Sequence, residues 1–304
     1  MTARTDEAPV RILVVGAGVI GSLYSSRLAK SPRCQVTLHA RGVRLAQIRA
    51  GVRFKQDGVI ATTELPVVEA LPLDTAWDYV LCCVRYEQAE AALAEIAQVD
   101  CPTIVSMVNN PGDYSGWEQI VGPGRLMVAF PGAGGSIDPD GVLDADPTPA
   151  FIQRTTLGEV DGAVTPRLQL LRSLLRQCGF ATAVTRDIAA WQLSHLALVV
   201  PLADAINACP SATHREIAEN RAVLEAAVRE LKECFATLRR CGVRPEPRSV
   251  ALLGRLPAWV LAQVVAAAFR HPLGDKFGVR HARSARLEME QLGVALRAAL
   301  LASQ

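Results

Sequence analysis

Six residues, Gly16-Ala17-Gly18-Val19-Ile20-Gly21, constrain this chain more than any others. They follow a short apolar, β-branched run, Arg11 to Val15, and open a helical segment from Gly18 to Lys30 that Ser31-Pro32 breaks. A G-x-G-x-x-G element alone is a weak signal, and a ligand-free Gly-rich turn is its plain alternative. Between a buried strand and a helix it has the context that dinucleotide binding demands. Gly16 permits the tight turn, Gly18 removes the side chain where backbone must approach a pyrophosphate, and Gly21 lets the helix pack close to the strand. The helix start, with Val19 and Ile20, offers free N–H groups and a partial positive charge to phosphates.

The rest of the N-terminal part continues the alternation of apolar runs and helical patterns that builds a parallel sheet from βαβ units. Gln35 to His39 reads as a second strand and Arg44 to Ala50 as a short helix. Gln56-Asp57-Gly58 is a hairpin-like turn signal within Val52 to Pro66. Tyr79 to Val84 and Thr103 to Met107 read as buried strands, with a helix from Glu87 to Gln98 between them. From Leu126 to Ile152 the pattern loosens. Pro131 to Gly135 reads as a flexible turn, and the aspartates 138, 140, 144 and 146 as turn chemistry, since they lack the calcium-loop register. Leu157 to Asp161 is one more strand, Pro166 to Cys178 a helix capped by Gly179, and Thr182 to Thr185 the last strand. Beyond Asp187 only helical segments remain: Trp191–Ala208, Ile217–Cys241, Ser249–Arg270 and Ala282–Leu301. The expected architecture is α/β: an N-terminal Rossmann doubly wound parallel sheet over residues 1–187 and an all-helical C-terminal domain over 188–304.

Composition excludes several classes. At 304 residues with a net charge of +2, nothing forces a polyanionic partner, so no nucleic acid is expected. The eight cysteines show no C-x-x-C spacing, and the first residues hold no apolar signal segment. Reduced, mostly buried thiols in a cytoplasmic protein follow, with no metal site. Leu193 to Ile206 and Leu256 to Phe269 are apolar but fall short of the ~18–20 residues of a bilayer span. They read as buried helices that point to a homodimer rather than a membrane.

The second strand decides between nicotinamide cofactors. It reads Val36-Thr37-Leu38-His39-Ala40-Arg41, with no carboxylate for ribose hydroxyls. Arg41 can instead form charge-assisted bonds to a 2′-phosphate, with Arg44 as a second cation nearby, so NADP is favoured over NAD.

With these residues in place, the chain resembles the ketopantoate reductase family. The glycine loop and the strand ending in Arg41 match. So do Cys83-Val84-Arg85-Tyr86-Glu87-Gln88, Val108-Asn109-Asn110-Pro111-Gly112, and Gly158-Glu159-Val160-Asp161-Gly162 followed by Thr165 and Leu168. Asp187 with Trp191, and later Pro201-Leu202, are also family-like. The resemblance implies a Rossmann domain joined to a helical domain, an active site in the cleft between them, and NADPH reducing the ketone of a small 2-oxo acid. It implies Arg41 and Arg85 at the adenosine phosphate, Asn109 at the nicotinamide ribose and substrate, and the loop 131–135 near the nicotinamide.

The family's catalytic pair is missing. Its lysine and its asparagine fall on Leu193 and Ala197 when aligned on Trp191, and on Gln192 and Leu196 when aligned on Pro201-Leu202. The family's later Ser and Glu ligands find no match in Arg280 to Leu292. Losing an oxyanion donor typically costs about 2.7–4 kcal/mol. The expectation is therefore an NADP-dependent reductase of a small oxo or imine substrate other than ketopantoate. His195, one turn beyond Trp191, is the candidate general acid, with a partly buried helix histidine as its plain alternative. Asp204 and Asn207 either hold substrate or cap helix ends, capping being the favoured role. A non-redox cyclase or isomerase, and an NADPH-binding protein without catalysis, stay open as alternatives.

Overall fold

Val10–Val15 (β1) is apolar on both faces, so it needs cover on both sides, the condition of a strand inside a parallel sheet. In the computed structural model, which describes residues 8–302 apart from 57 and 113, β1 takes that place. It is followed by α1 (Val19–Ala29), β2 (Cys34–His39), α2 (Gly42–Ile48), β3 (Val52–Gln56), β4 (Val59–Thr63), β5 (Val67–Val68) and β6 (Tyr79–Cys82). Then come α3 (Ala89–Ile96), β7 (Ile104–Ser106), α4 (Ser115–Val121), β8 (Leu126–Phe130), β9 (Ala133–Ile137), β10 (Leu143–Pro147), β11 (Thr155–Glu159), α5 (Pro166–Gln177) and β12 (Thr182–Val184).

The main sheet has the order β12-β11-β8-β7-β6-β1-β2-β5. Every neighbouring pair in it is parallel except β8 with β11. β1 therefore lies between β2, which it reaches through α1, and β6, which comes later in the chain. That is the reversal of strand order at which doubly wound sheets bind ligands. A second sheet, β4-β3-β10-β9, joins two hairpins. The first is the one signalled around Gly58, with register Val52↔Thr63 to Gln56↔Val59; Asp57 lies outside the described residues. The second corrects the reading of Pro131–Gly135 as a flexible turn and of Asp144 and Asp146 as turn residues. β9 and β10 pair antiparallel from Leu143↔Ile137 to Pro147↔Ala133, and only Asp138–Val142 closes the turn, with Val142 N donating to Asp138 Oδ1 at 2.8 Å. Glycine hid the strand: a Cβ on Gly135 would lie 2.2 Å from the Asp144 carbonyl oxygen, so the close pairing requires its absence.

α1 packs against both β1–β2 and β9–β10, which explains why its small polar side chains are buried. Ser26 Oγ donates to the Ser22 carbonyl at 2.6 Å, and Tyr24 meets Thr155 at 2.6 Å while stacking on Phe180. All eight cysteines are free thiols, five of them buried.

The chain divides into two compact units: Met1–Val108 with Ser115–Arg186, and Asp187–Gln304 with the short segment Asn109–Tyr114. The second unit is built of α6 (Ile188–Asn207), α7 (His214–Glu219), α8 (Arg221–Arg240), α9 (Arg248–Leu253), α10 (Ala258–Arg270), the turn α11 (Pro272–Gly274), a π-helical turn over Asp275–Val279, α12 (Arg280–Ser284) and α13 (Arg286–Ala302). Asp187 caps α6, accepting from Ala190 N at 2.9 Å. Among the described residues α6 is the one helix long and apolar enough to cross a membrane, yet most of that stretch is buried within the protein.

Three expected long helices are each divided, that over 282–301 at Ala285 between α12 and α13. Asn220 leaves helical geometry and caps α8, accepting from Val223 N at 3.2 Å, so Ile217–Cys241 is not continuous. Gly254 to Pro257 separates α9 from α10, and a Cβ on Gly254 would press on the Phe235 ring at 2.9 Å.

A buried ion pair holds the end of β11. Glu159, 2% exposed, accepts from Arg167 Nη2 at 2.6 Å and Nε at 2.9 Å, and also pairs with Thr165 Oγ1. Arg167 donates further to the Gly124 carbonyl at 2.7 Å, which ties α5 to the turn before β8. Removing one partner strands the other charge. Glu159→Ala is expected to lower stability by about 3 kcal/mol, the low end for a buried pair because Arg167 keeps some solvent contact; chemical denaturation measures it.

Candidate functional site

The glycine loop has the geometry its sequence requires. Gly16 adopts φ +103°, and a Cβ there would lie 2.6 Å from the Cys83 carbonyl oxygen after β6. A Cβ on Gly21 would lie 1.8 Å from the Gly16 oxygen, so the first turn of α1 is pressed onto the loop. At Gly18 the same test meets no atom within 4 Å. Gly16 and Gly21 are thus glycines for packing, while Gly18 opens onto space that a ligand can take. Gly18 is the N-cap of α1, without a side-chain cap and without an acidic residue in the first turn, so the N–H groups around Val19 and Ile20 face no competing carboxylate there. These residues fit the diphosphate of a dinucleotide.

The peptide between Ala17 and Gly18 is held from inside. The Ala17 carbonyl accepts from Ser22 Oγ at 3.0 Å and from Arg44 Nε at 2.9 Å. In a planar trans peptide the N–H points opposite to the C=O, so fixing the Ala17 oxygen turns the Gly18 N–H outward. Arg44 also donates to Gln47 Oε1 at 2.7 Å, to the Gly141 carbonyl at 3.3 Å and to Ser22 Oγ at 3.3 Å. The expectation of Arg44 as a second phosphate cation is corrected accordingly: its guanidinium is spent bracing the loop against the β9–β10 turn.

Arg41 stands just beyond β2 as the N-cap of α2, its side chain 58% exposed. It forms a two-pronged pair with Glu95 of α3, Nη1 to Oε1 at 3.2 Å and Nη2 to Oε2. The pair raises the Arg41 pKa and lowers that of Glu95, each chiefly through the shared hydrogen bonds. Glu95 escaped the sequence reading because it lies 54 residues from its partner and no spacing rule connects them. His39 is buried, with Nε2 3.0 Å from the Glu69 carbonyl; burial, and then the Arg41 charge, lower its pKa. Arg85 is exposed and opens the 3₁₀ turn Tyr86–Gln88.

In the second unit, Gln192 is fully buried and its Oε1 accepts from Asn110 N at 2.6 Å, clamping the segment 109–114 to α6. Asn110 Oδ1 in turn accepts from Gly112 N at 2.9 Å. Asn109 therefore groups with the helical unit rather than with the sheet around it in sequence, and its Oδ1 is buried without a hydrogen-bond partner among the described residues. Ala197 and Leu196 are buried and Leu193 half-buried, so neither register places an amine on this helix.

His195 is half-buried, its ring stacked on Trp191 at 5.3 Å with an interplanar angle of 6°. Asp204 is not a helix cap: it lies inside α6, 3.9 Å from Arg297 Nη1, and burial raises its pKa. Asn207 ends α6 with its Nδ2 buried and without an acceptor among the described residues, so it is no cap through that atom.

Comparison with known proteins agrees with this architecture. Residues 12–161 match the model of the family described as ketopantoate reductase PanE/ApbA. A 2-dehydropantoate 2-reductase of Mesorhizobium japonicum is 27% identical over 205 residues, 59% of this chain and 61% of that protein, so the match spans less than two thirds of the relative. Among solved structures, 2-dehydropantoate 2-reductase of Porphyromonas gingivalis W83 superposes with a TM-score of 0.62 at 19% identity, covering 95% of this chain and 98% of that one. A ternary structure of D-mandelate dehydrogenase with NADH and anilino(oxo)acetate superposes with a TM-score of 0.68 at 12% identity, covering 95% and 99%. At these identities the likeness speaks for the fold: a Rossmann-type sheet followed by a helical region. Residues 12–161 of this chain are a domain of the ketopantoate reductase family.

Proposed function

We propose that the chain is an NADPH-dependent reductase of a small oxo or imine substrate other than ketopantoate. The observation that carries the reading is the glycine loop: two glycines are closed by packing, while the third is open beside an uncapped helix start. Gly16 to Gly21 would hold the diphosphate through backbone N–H groups, and Arg41, with Arg85, the 2′-phosphate. The bound nicotinamide would supply the hydride.

The chain's own residues supply the rest. His195 donates a proton to the oxygen or nitrogen that gains charge during reduction, its ring held by stacking on Trp191. Asn109 offers a buried amide oxygen, without a partner among the described residues, to a hydroxyl of substrate or ribose. The absence of an amine at either lysine register, and the apolar run Trp191–Val200, support a substrate less charged than ketopantoate.

Three measurements test this. NADPH consumption with a panel of 2-oxo acids, cyclic ketones and cyclic imines is expected to show turnover with at least one class other than ketopantoate. Binding without turnover on the whole panel would favour a non-catalytic or non-redox role. His195→Ala is expected to lower kcat about 10²–10⁴-fold with NADPH binding unchanged; unchanged turnover would remove His195 from the chemistry. Arg41→Ala is expected to weaken NADPH about 10–100-fold and NADH far less, measured by fluorescence titration. The exposed Leu287, Val294 and Leu301, seven residues apart on α13, support a homodimer, for which light scattering is expected to give the mass of two chains.

A further inference from the structure

Two charged residues meet where cofactor choice is made in folds of this kind, Arg41 just beyond β2 and Glu95 on α3. An acid at the end of β2 would take ribose hydroxyls and repel a 2′-phosphate; here that place belongs to Arg41, and the acid arrives from α3 instead. Glu95 is 44% exposed, while Ala89, Leu93 and Ile96 of the same helix are buried. Its carboxylate therefore sits on the outer side of α3, where it occupies two donors of the guanidinium.

We propose that Glu95 is a cofactor-specificity residue that competes with the 2′-phosphate for Arg41, leaving the chain able to bind NADH as well as NADPH. The inference rests on the NADPH reading above. A 2′-phosphate must displace Glu95 or share Arg41 with it, and in either case a carboxylate stays close to a dianion. A free ribose 2′-hydroxyl meets no such opposition and finds in Glu95 the acceptor that β2 lacks. Because the pair is exposed, it is weak enough to open: such pairs contribute little, and salt screens them. Neutralising Glu95 therefore shifts the preference by a modest factor and in one direction, toward NADPH.

The test titrates wild type, Glu95→Gln, Arg41→Ala and the double variant with NADPH and with NADH by nicotinamide fluorescence, with circular dichroism confirming the fold of each. Glu95→Gln is expected to tighten NADPH roughly two- to five-fold while NADH is unchanged or weaker. The gain is expected to shrink in the Arg41→Ala background, because Arg41 transmits part of it. Wild type is expected to bind NADH within about tenfold of NADPH. A Glu95→Gln variant that moves both affinities by the same factor, or neither, overturns this inference and leaves the NADPH reading standing. So does wild-type NADH binding more than about a hundredfold weaker than NADPH. Wild type that binds neither nucleotide overturns both.

Discussion

The contact on which the first unit depends is between two glycines. With 1.8 Å between a Gly21 Cβ and the Gly16 oxygen, no other residue fits at Gly21 without moving α1 off the loop. Gly16 is held in turn by φ +103° and by the Cys83 carbonyl at the end of β6. Three elements, β1, α1 and β6, thus converge where the strand order reverses. The same closeness sets the helix start over the C-terminal end of the sheet, so the requirement for packing and the capacity for anion binding have one origin. Gly18 is the exception that shows the difference, since nothing in the protein requires its lack of a side chain.

Much of the fold was legible because its strands are short apolar runs bounded by turn residues, a pattern that survives without knowledge of partners. β1, β2, β6, β7, β11 and α5 fall within one to three residues of their expected bounds. The failures share a cause. Half of β9 and β10 is glycine, aspartate and proline, residues whose local preference is for turns, and they become strands through pairing across the sheet. Asn220 and Gly254 divide helices through one backbone angle or one ring contact, neither of which interrupts an apolar period.

The candidate site shows the same division. The glycine loop is contiguous, so its turn geometry is readable once the strand before it and the helix after it are recognised. The partners of Arg41 and Arg44 are not: Glu95 is 54 residues from Arg41, and Gly141 is 97 residues from Arg44. Two arginines three residues apart look equivalent in sequence, yet one is exposed beside a carboxylate and the other is consumed by four hydrogen bonds. Glu159, Thr165 and Arg167, eight residues apart at most, form one polar cluster around a buried carboxylate.

Gln192 bears most directly on the chemistry. At a fully buried position an ammonium must be paired or lose its proton, whereas a neutral amide needs only hydrogen-bond partners. Its oxygen takes one from the Asn110 N–H, so this end of the amide shapes a loop. With a glutamine here and leucine or alanine at the other matching positions, this stretch of α6 carries no permanent cation to offset charge on a reacting oxygen. In the reading proposed above, the proton comes from His195, the histidine of α6. An imidazole in that role supplies positive charge only when protonated.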